Sequence, residues 1–593
     1  MKILGLSFFY HDSAAVLLVD GVPVAMAEEE RFSRVKHDYE FPSRAIEFVL
    51  GEGKISANDL DYVVFYEKPF IKFDRVLKTL LGTFPWAPHV FVKAIKSLFL
   101  SKIWIKVLIA KELGIDPQKI LFSEHHLSHA AASYLSSPYD KAAILSVDGV
   151  GEWACTAISI GEGDSIRTLE EIHFPHSLGL LYSAFTAFLG FKVNEGEYKV
   201  MGMAPYGTPK YVEKVKKLIK FFDDGSYALN LDYFSFHNSN ARTYSKKFVK
   251  LFGNPRNPES KFFTRKSGWP SYFGPKPQGE EFEKLADEQD YYADIAASLQ
   301  VVTEEALIRL AKRAYELTKY SRICIGGGVG LNSVANWKIL QKTPFEEACF
   351  HPASGDSGGA LGAALYLDNV ILKKGRKYVM RHAYYGKEYK EKEIQEFIVQ
   401  KGLKAEHILD EDELIERVAE DIIAGKVVGW FHGRFEWGPR ALGHRSILAD
   451  ARRDDMKDIV NTKIKFREPY RPFAPSVLAE HVEEFFDIPS ASKHYPARFM
   501  LYVVPVKKEK QAQIPAVTHV DGTGRLQIVH KKESPRYWKL INEFYKKTGV
   551  PLVLNTSFNL RGEPIVTSPK DAYNTFMKSE IDILVLENYI IVK

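Results

Sequence analysis

Two histidines four residues apart begin the stretch of this chain with the clearest chemical potential. His125 and His129 precede an alanine-rich segment that favours helix, so both imidazoles are predicted to share one helical face and to bind one metal ion. The apolar segment from Ala142 to Val147 is predicted to be a strand, and Asp148 follows it directly. Two imidazoles and a carboxylate suit Fe(II), Mn or Zn, and they leave an open position for phosphate oxygens.

The histidine spacing is a weak signal by itself, because a chain with 18 histidines is expected to contain such pairs by chance. The surrounding sequence strengthens it: residues 148–151 form a glycine-bearing turn after a strand, where backbone amides can approach phosphate. A second turn, Ser354–Gly359, carries Asp356 as a candidate fourth metal ligand. The alternative is a tightly packed glycine turn in which Asp356 only caps a helix.

A glycine-rich loop, GGGVGLNSVAN, runs from Gly326 to Asn336 between a predicted strand and a predicted helix. Its three consecutive glycines allow a ligand to approach the backbone closely. The spacing matches neither the dinucleotide-binding fingerprint nor the Walker loop, so those folds are disfavoured.

Two short motifs in the C-terminal third, HGRFEWGPRALGHRS and NTKIKFREPYRPFAPS, are rich in cationic residues. They contain Arg434, Arg440, Arg445, Lys463, Lys465, Arg467 and Arg471. The guanidinium fork matches phosphate and carboxylate groups, so the two motifs predict an anion pocket. Asn555 and Ser557 follow a predicted strand, Val550 to Leu554, and could hold an amide or carbamate. Alternatively, they are turn residues that cap the next element.

The bulk composition describes an ordinary globular chain of several domains, with 593 residues, 46% hydrophobic and 26% charged. A net charge of +5 is compatible with anionic substrates such as ATP but does not indicate nucleic-acid binding. Three cysteines without a CxxC motif, and no predicted signal peptide, favour the cytoplasm. The apolar segment His89–Leu113 is interrupted by five lysines, so we predict a partly buried helical pair, with a membrane-surface helix as the alternative and no membrane span.

The predicted elements contain a weak internal repeat. Strands at 3–8, 14–19 and 22–27 form a hairpin unit with a polar loop that carries His11, and a similar unit follows from Ala142. Asn194 to Gly207 is predicted to be a loop, and Tyr233 to Glu281 an irregular excursion. Duplicated units of this kind are typical of the actin-like ATPase superfamily.

Nine motifs taken together resemble the NodU/CmcH family of O-carbamoyltransferases, in order and over nearly the whole chain. They are FYHDSAA, EHHLSHAAASY, VDGVGEW, EGEYKVMGMAPYG, GGGVGLN, GDSGGALGAA, GRFEWGPRALGHRSILAD, KIKFREPYRPFAPSVL and LNTSFNLRGEPIV. The resemblance implies an α/β protein with an actin-like N-terminal domain of the ASKHA type (a duplicated RNase H-like fold) and a C-terminal YrdC-like α/β domain. We expect the first domain at 1–372, a linker at 373–392 and the second domain at 393–593.

The same resemblance implies roles for individual residues. The expected metal is iron, and its ligands are His125, His129, Asp148 and Asp356. His11 is expected to act as the base on the acceptor hydroxyl. The expected ATP-binding residues are Gly149, Gly151, Gly326, Gly327, Gly328, Asn332 and Gly355. The residues expected to bind carbamoyl phosphate are Arg434, Arg440, Arg445, Arg467, Arg471, Asn555 and Ser557.

The function implied is an ATP-dependent O-carbamoyltransferase that makes carbamoyl adenylate from carbamoyl phosphate and carbamoylates a hydroxyl of a small molecule. One alternative keeps this chemistry but transfers the group to tRNA or to a protein. Another is a nucleotide-binding actin-like scaffold without catalysis. The sequence leaves the acceptor and the oligomeric state open, a homodimer included.

Overall fold

Five strands near the N-terminus form the first sheet. The computed structural model describes residues 1–83, 104–239, 242–270, 273–468 and 470–593. The strands are β1 (Lys2–Ser7), β2 (Ala14–Val19), β3 (Val22–Glu28), β4 (Tyr62–Phe65) and β5 (Ile120–Phe122), in the order β3-β2-β1-β4-β5. The hairpin strands β1, β2 and β3 pair antiparallel, whereas β4 pairs parallel with both β1 and β5.

A second sheet repeats this topology. In chain order the next strands are β6 (Lys141–Val147), β7 (Ala154–Glu162), β8 (Ser165–His173), β9 (Ile219–Phe221), β10 (Tyr227–Leu229), β11 (Arg322–Gly326) and β12 (Glu347–Phe350). Apart from the separate β9–β10 hairpin, they form a sheet in the order β8-β7-β6-β11-β12. Again the first three strands pair antiparallel and the last two join in parallel. The predicted internal repeat and the actin-like α/β class are therefore confirmed.

The remaining strands form one mixed sheet of nine strands. They are β13 (Glu406–His407), β14 (Val428–Phe431), β15 (Arg445–Ala449), β16 (Ala474–Leu478), β17 (Tyr502–Pro505), β18 (Thr523–Val529), β19 (Leu552–Ser557), β20 (Ile583–Leu586) and β21 (Tyr589–Val592). Their order is β13-β21-β20-β14-β15-β19-β16-β18-β17. This sheet brings β18, β16 and β19 side by side, although they are far apart in the chain.

The α-helices connect and cover these sheets. In the N-terminal half they are α1 (Glu30–Ser33), α2 (Ser43–Glu52), α3 (Pro69–Thr83), α4 (Ile105–Leu113), α5 (His125–Tyr134), α6 (Leu178–Phe188), α7 (Glu197–Met203), α8 (Val212–Lys216), α9 (Lys246–Phe252) and α10 (Glu280–Thr318). They continue with α11 (Ser333–Lys342), α12 (Asp356–Leu365), α13 (Glu391–Lys401), α14 (Glu411–Ile423), α15 (Met456–Ile459), α16 (Val482–Phe485), α17 (Pro535–Thr548) and α18 (Pro569–Met577).

The chain divides into two compact units. Unit 1 consists of Met1–Glu29, His37–Lys261 and Tyr291–Met380, and unit 2 of Glu30–Lys36, Phe262–Asp290 and Arg381–Lys593. Unit 2 thus contains two segments from the N-terminal half of the chain as well as the nine-stranded sheet. The domain limits 1–372 and 393–593, with a linker at 373–392, stay a prediction.

Two helices of unit 1, α5 and α12, pack so closely that only glycine fits between them. A Cβ atom on Gly362 of α12 would lie 1.8 Å from the carbonyl oxygen of Ser128 on α5. On another face of α12, a Cβ on Gly5 of β1 would lie 2.0 Å from the carbonyl oxygen of Ala360. These contacts fix α12 against both α5 and the first sheet.

Several predicted elements have different limits in the structure. The predicted loop Asn194–Gly207 contains helix α7, because Val200 and Met203 bury an apolar face and the helix tolerates Gly202. Helix α9 interrupts the predicted irregular region 233–281. Strand β19 extends to Ser557, so Asn555 and Ser557 lie within a strand and not in a turn after it.

The lysine-rich segment His89–Leu113 is only partly described. Residues 84–103 lie outside the described residues, so the predicted helical pair is not tested there. The rest forms α4, with Ile105 and Ile109 buried. Within the described parts of the chain, no helix has the length and apolar character needed to cross a bilayer.

Replacing Gly362 by alanine should destabilise unit 1, because the added methyl group would overlap the Ser128 carbonyl oxygen. We expect a cost of about 1–3 kcal/mol, typical of overpacking, visible as a lower midpoint in thermal unfolding. Gly51→Ala is the matched control, since a Cβ there meets no atom within 4 Å and alanine favours its helix α2. Equal midpoints for the two variants would contradict the proposed close packing.

Candidate active site

Four side chains of unit 1 converge at one point. The Nε2 atoms of His125 and His129, one turn apart on α5, lie 3.1 Å from each other, and each lies 3.0 Å from Oδ2 of Asp148. The Oδ1 atom of Asp356, the first residue of α12, lies 3.8 Å from both Nε2 atoms. All four ligand atoms lie within 4.8 Å of one another. The structure thus brings together the four residues predicted as metal ligands.

The elements explain this convergence. Asp148 follows β6, and Asp356 begins α12 after the turn that follows β12, so both lie near the carboxyl ends of parallel strands of the second sheet. The contact of α5 with α12 then sets the distance between the histidines and Asp356.

The electrostatics of the cluster show that positive charge is needed there. Burial lowers the pKa of His125, but the hydrogen bond with Asp148 and the neighbouring acids outweigh it and raise that pKa to about 9. Burial acts to raise the pKa of Asp148, yet the hydrogen bonds from His125 and His129 hold it well below its usual value. Burial also raises the pKa of Asp356, where Asp148 adds a like charge. Two imidazole nitrogens and two carboxylate oxygens fit a divalent transition metal, which would replace the protons.

The glycines predicted to bind ATP fall into two groups. Three of them have no room for a side chain. A Cβ on Gly151 would lie 3.0 Å from the His125 ring, one on Gly326 would lie 2.7 Å from the His129 carbonyl oxygen, and one on Gly327 would lie 2.2 Å from the Val147 carbonyl oxygen. Gly151 and Gly326 let the turn after β6 and the end of β11 approach α5, and Gly327 lets the residue after β11 approach the end of β6.

Gly149 and Gly355 face open space, because a Cβ on Gly149 would meet only the Tyr10 hydroxyl, at 3.8 Å, and one on Gly355 would meet nothing within 4 Å. The amides of Gly149 and Gly328 donate to Oδ1 of Asp148, at 2.7 and 3.2 Å. Asn332 caps α11 and exchanges two amide hydrogen bonds of 3.1 Å with Gln300.

His11 belongs to a second polar group of unit 1. Its Nδ1 atom lies 2.8 Å from Oδ2 of Asp12, and its Nε2 atom lies 2.8 Å from the carbonyl oxygen of Asn194. The Nδ1 atom of His37 lies 2.7 Å from the other oxygen of Asp12. Burial lowers the pKa of His11, but the charge of Asp12 outweighs it and raises that pKa to about 10. Because both ring nitrogens face acceptors, the surroundings of His11 favour its imidazolium form.

In unit 2, several of the predicted arginines gather around one buried lysine. The ammonium group of Lys465 donates hydrogen bonds to the carbonyl oxygen of Ser557 and, at 3.4 Å, to its Oγ atom. It also donates to the carbonyl oxygen and to Oδ1 of Asn559, both at 2.9 Å. Burial lowers the pKa of Lys465 well below its usual value, and the charges of Arg467 and Arg471 lower it further.

Arg525 completes this cluster. Burial and the positive charges of Arg440, Arg467 and Arg471 lower its pKa well below the usual range. Its Nε atom is buried and has no hydrogen-bond partner among the described residues. The cationic cluster of unit 2, as named from here on, consists of Arg440, Lys465, Arg467, Arg471 and Arg525.

Two of the predicted arginines lie elsewhere in unit 2. Arg445 is fully buried; its guanidinium stacks 3.6 Å from the centre of the Phe431 ring and donates to backbone carbonyl oxygens of His432 and His444. These contacts indicate a structural role for Arg445. The carbonyl oxygen of Arg434 lies 2.8 Å from Nδ1 of His444, and burial, together with the charge of Arg434, lowers the pKa of His382.

Asn555 and Ser557 lie on the same face of β19, two residues apart. The amide nitrogen of Asn555 donates to Oε1 of Gln527 at 2.9 Å and to Oγ of Ser476 at 3.0 Å, so it links β19 to β18 and β16. Ser557 contacts Lys465, as described above. Asn555 therefore supports the sheet beneath the cationic cluster, and Ser557 lines it.

Sequence reasoning missed five residues of these sites. They are Asp12, His37, Tyr66, Glu67 and Arg525. Arg525 alternates with apolar residues along β18, and Glu67 follows an apolar strand as Asp148 does, so both carried a usable signal in the sequence. Tyr66 carried none, because its role comes from a contact with a residue 290 positions away.

The duplicated sheets and the buried cluster of imidazoles and carboxylates define an actin-like α/β protein with a candidate metal centre. The family models of the carbamoyltransferase N-terminus and the carbamoyltransferase C-terminus match residues 2–365 and 419–593. The chain therefore belongs to the carbamoyltransferase family.

Three relatives illustrate the similarity. The protein sll1178 of Synechocystis sp. is 44% identical over 626 aligned positions, which cover 100% of this chain and 96% of the relative. Nodulation protein NolNO of Sinorhizobium fredii is 36% identical over 99% of this chain and 79% of its own length. The 3'-hydroxymethylcephem-O-carbamoyltransferase of Streptomyces clavuligerus is 33% identical over 47% of this chain and 50% of its own length.

Replacing both candidate histidine ligands, His125→Ala with His129→Ala, should remove bound divalent metal, since two of the four donors disappear. The metal content of purified protein, measured by elemental mass spectrometry, should fall to background. His173→Ala is the control, because His173 is exposed and pairs with Glu171, away from the cluster. Full metal content in the double variant would show that other residues bind the metal.

Proposed function

We propose that this chain is an ATP-dependent O-carbamoyltransferase: it converts carbamoyl phosphate to carbamoyl adenylate and transfers the carbamoyl group to a hydroxyl of a small molecule. The observation that carries this proposal is the cationic cluster of unit 2. Several like charges are held together there with Lys465 and Arg467 buried, and such an arrangement is costly unless an anion neutralises it.

The ligand that suits this cluster combines a phosphate with a planar amide. Guanidinium groups bind phosphate oxygens in pairs, and Ser557 offers a hydroxyl group next to Lys465. Glu468 lies 3.6 Å from Arg471, and the charge of Glu563 acts on Lys465, but two carboxylates do not balance five basic side chains. Carbamoyl phosphate has both the charge and the amide.

The chemistry proposed for unit 2 has two steps. Water first releases inorganic phosphate from carbamoyl phosphate and leaves carbamate. An oxygen of the carbamate then attacks the α-phosphorus of ATP, and pyrophosphate leaves as carbamoyl adenylate forms. The cationic cluster stabilises the negative charge that develops on the departing phosphate groups.

Unit 1 is proposed to carry out the transfer step. His125, His129, Asp148 and Asp356 would hold a divalent metal, with Fe(II) expected and Mn or Zn as alternatives; as a Lewis acid it would bind phosphate oxygen and polarise the acyl group. Gly149 and Gly355 offer the open backbone positions for the nucleotide phosphates. The acceptor oxygen attacks the carbamoyl carbon, AMP leaves, and the hydroxyl proton passes to His11.

The charges around the candidate metal centre support a divalent cation. The buried acids Glu67 and Glu152 add their negative charges to those of Asp148 and Asp356. Glu152 helps to raise the pKa of His125, and Glu67 lies 3.9 Å from His125 and helps to raise the pKa of Glu152. The buried cations on this side are Lys72 and Arg75. A doubly charged ion would balance the two excess carboxylates, and in its absence these carboxylates raise the pKa of His125.

The two alternatives differ in the acceptor and in the chemistry. A macromolecular acceptor, tRNA or protein, keeps the same reaction, and the modest net charge of +5 argues against tRNA. A nucleotide-binding scaffold would bind ATP but would have no use for the cationic cluster. We favour a small-molecule acceptor and a protein that acts in the cytoplasm.

Pyrophosphate release from ATP should require carbamoyl phosphate, and Arg525→Ala should raise the KM for carbamoyl phosphate by about 10- to 100-fold, because the bound phosphate loses a charge-assisted hydrogen bond worth about 1.5–3 kcal/mol. A coupled pyrophosphate assay measures this. Arg453→Ala is the matched control, since Arg453 is exposed and pairs with Asp455. Release that is independent of carbamoyl phosphate, or an unchanged KM in Arg525→Ala, would refute the assignment of the donor site. A scaffold protein would release no pyrophosphate at all.

His11→Asn should still release pyrophosphate but should give no carbamoylated product. In the wild-type protein, transfer should accelerate as the pH rises towards 10, because the imidazolium must lose its proton before it can act as a base. Mass spectrometry can follow both effects in a metabolite extract supplied with ATP and carbamoyl phosphate, through the mass gain of one carbamoyl group. Normal product yield from His11→Asn would exclude His11 as the base.

A further inference from the structure

We propose that Tyr66 and Glu67, two consecutive residues after β4, orient the metal ligands of unit 1 and raise the affinity of the site for its ion. Tyr66 holds Asp356, and Glu67 receives the Nδ1 proton of His125. This inference rests on the proposed function, because it presumes that the four-residue cluster binds a divalent metal.

Tyr66 connects both helices that carry ligands. Its hydroxyl group donates to Oδ2 of Asp356 at 3.1 Å, while Oδ1 of Asp356 faces the two imidazoles. Its carbonyl oxygen accepts a hydrogen bond of 2.8 Å from Oγ of Ser128 on α5. The two oxygens of Asp356 therefore have different partners, and the Tyr66 hydroxyl fixes which oxygen faces the cluster.

The ring of Tyr66 has little freedom to move. Tyr66 is fully buried, and a Cβ on Gly359, one turn after Asp356 on α12, would lie only 2.7 Å from the ring. The ring also packs beside the His125 imidazole, with 5.3 Å between the ring centres. A rigid donor of this kind sets the direction of Asp356 before any ion is bound.

Glu67 lies on the other side of the His125 ring. Since Nε2 of His125 faces the cluster, Nδ1 points away from it, and Nδ1 is buried with no hydrogen-bond partner among the residues that the structure describes. The Oε2 atom of Glu67 lies 3.9 Å from this nitrogen. A shift of about 1 Å would produce a normal hydrogen bond. Metal-bound histidines usually donate their second N–H to such a carboxylate, which fixes the tautomer and strengthens the bond to the metal.

Lys72 keeps Glu67 available for this role. Its ammonium group lies 2.6 Å from Oε2 of Glu67, and both side chains are buried. His126, the neighbour of His125, is already bonded through Nδ1 to Ser146 at 2.8 Å and does not need Glu67.

The test compares metal affinity in four variants of the full-length protein. Tyr66→Phe and Glu67→Gln change one or two atoms and leave all four proposed ligands in place. Tyr134→Phe is the first control, because Tyr134 is a buried tyrosine of the same unit whose hydroxyl donates to the Asp140 carbonyl oxygen at 2.7 Å. Glu171→Gln is the second, because Glu171 contacts an imidazole, that of His173 at 2.7 Å, on the surface.

Metal-free protein is titrated with Zn²⁺ and Co²⁺ against a chromophoric chelator, and thermal unfolding of each metal-free variant checks that the fold is retained. We expect Tyr66→Phe and Glu67→Gln each to weaken metal binding by about 10- to 100-fold, and the visible Co²⁺ bands to shift, while both controls stay within about twofold of the wild type. Wild-type affinity and an unchanged Co²⁺ spectrum in both test variants would overturn the inference and leave the proposed metal centre standing. A wild-type protein that binds neither ion would instead overturn the proposed centre, and this inference with it.

Discussion

The close approach of α5 to α12 is the constraint on which the candidate metal centre depends. Gly362 has no room for a side chain against the Ser128 carbonyl oxygen, and Ser128 is the residue immediately before His129. With a wider separation, Asp356 at the start of α12 would no longer reach the imidazoles. The backbone contact thus sets the geometry of a site whose ligands come from three separate parts of the chain. The glycines near these ligands serve mainly this packing, which is why only Gly149 and Gly355 leave space for a ligand.

The class of unit 1 and its metal cluster were accessible from the sequence because their signals are local. Strand periods and the repeated hairpin unit predict the duplicated sheets, and helical spacing places His125 and His129 on one face. Asp148 could be found because acidic residues after buried strands collect at one edge of a sheet. Tyr66 could not, since its only distinguishing feature is the contact with Asp356.

In unit 2 the sequence identified the cationic motifs but not which arginines act together. Arg445 lies in the same motif as Arg440, yet the first is held by backbone carbonyl oxygens and the second belongs to the cationic cluster. Arg525 comes from β18, outside both motifs, and reaches the cluster because the mixed sheet places β18 close to β19. The density of arginines in the two motifs therefore predicts an anion pocket. Which residues form that pocket depends on the order of the strands in the sheet, and local sequence patterns do not reveal this order.

The two units have opposite charge imbalances, and this difference favours separate chemical steps. In unit 1 buried carboxylates outnumber buried cations around the candidate metal ligands, and these carboxylates raise the pKa of His125 to about 9. In unit 2 the cationic cluster carries the surplus, and Arg525 keeps a buried Nε atom without a partner among the described residues. A site with excess carboxylates attracts a metal ion, and once it holds that ion it repels a second cation. A site with excess cations attracts a polyanion, and it repels a metal ion unless phosphate accompanies that ion. In the proposed reaction, binding of the phosphorylated donor and activation of the acceptor hydroxyl would need these opposite environments, and one pocket could not serve both steps equally well.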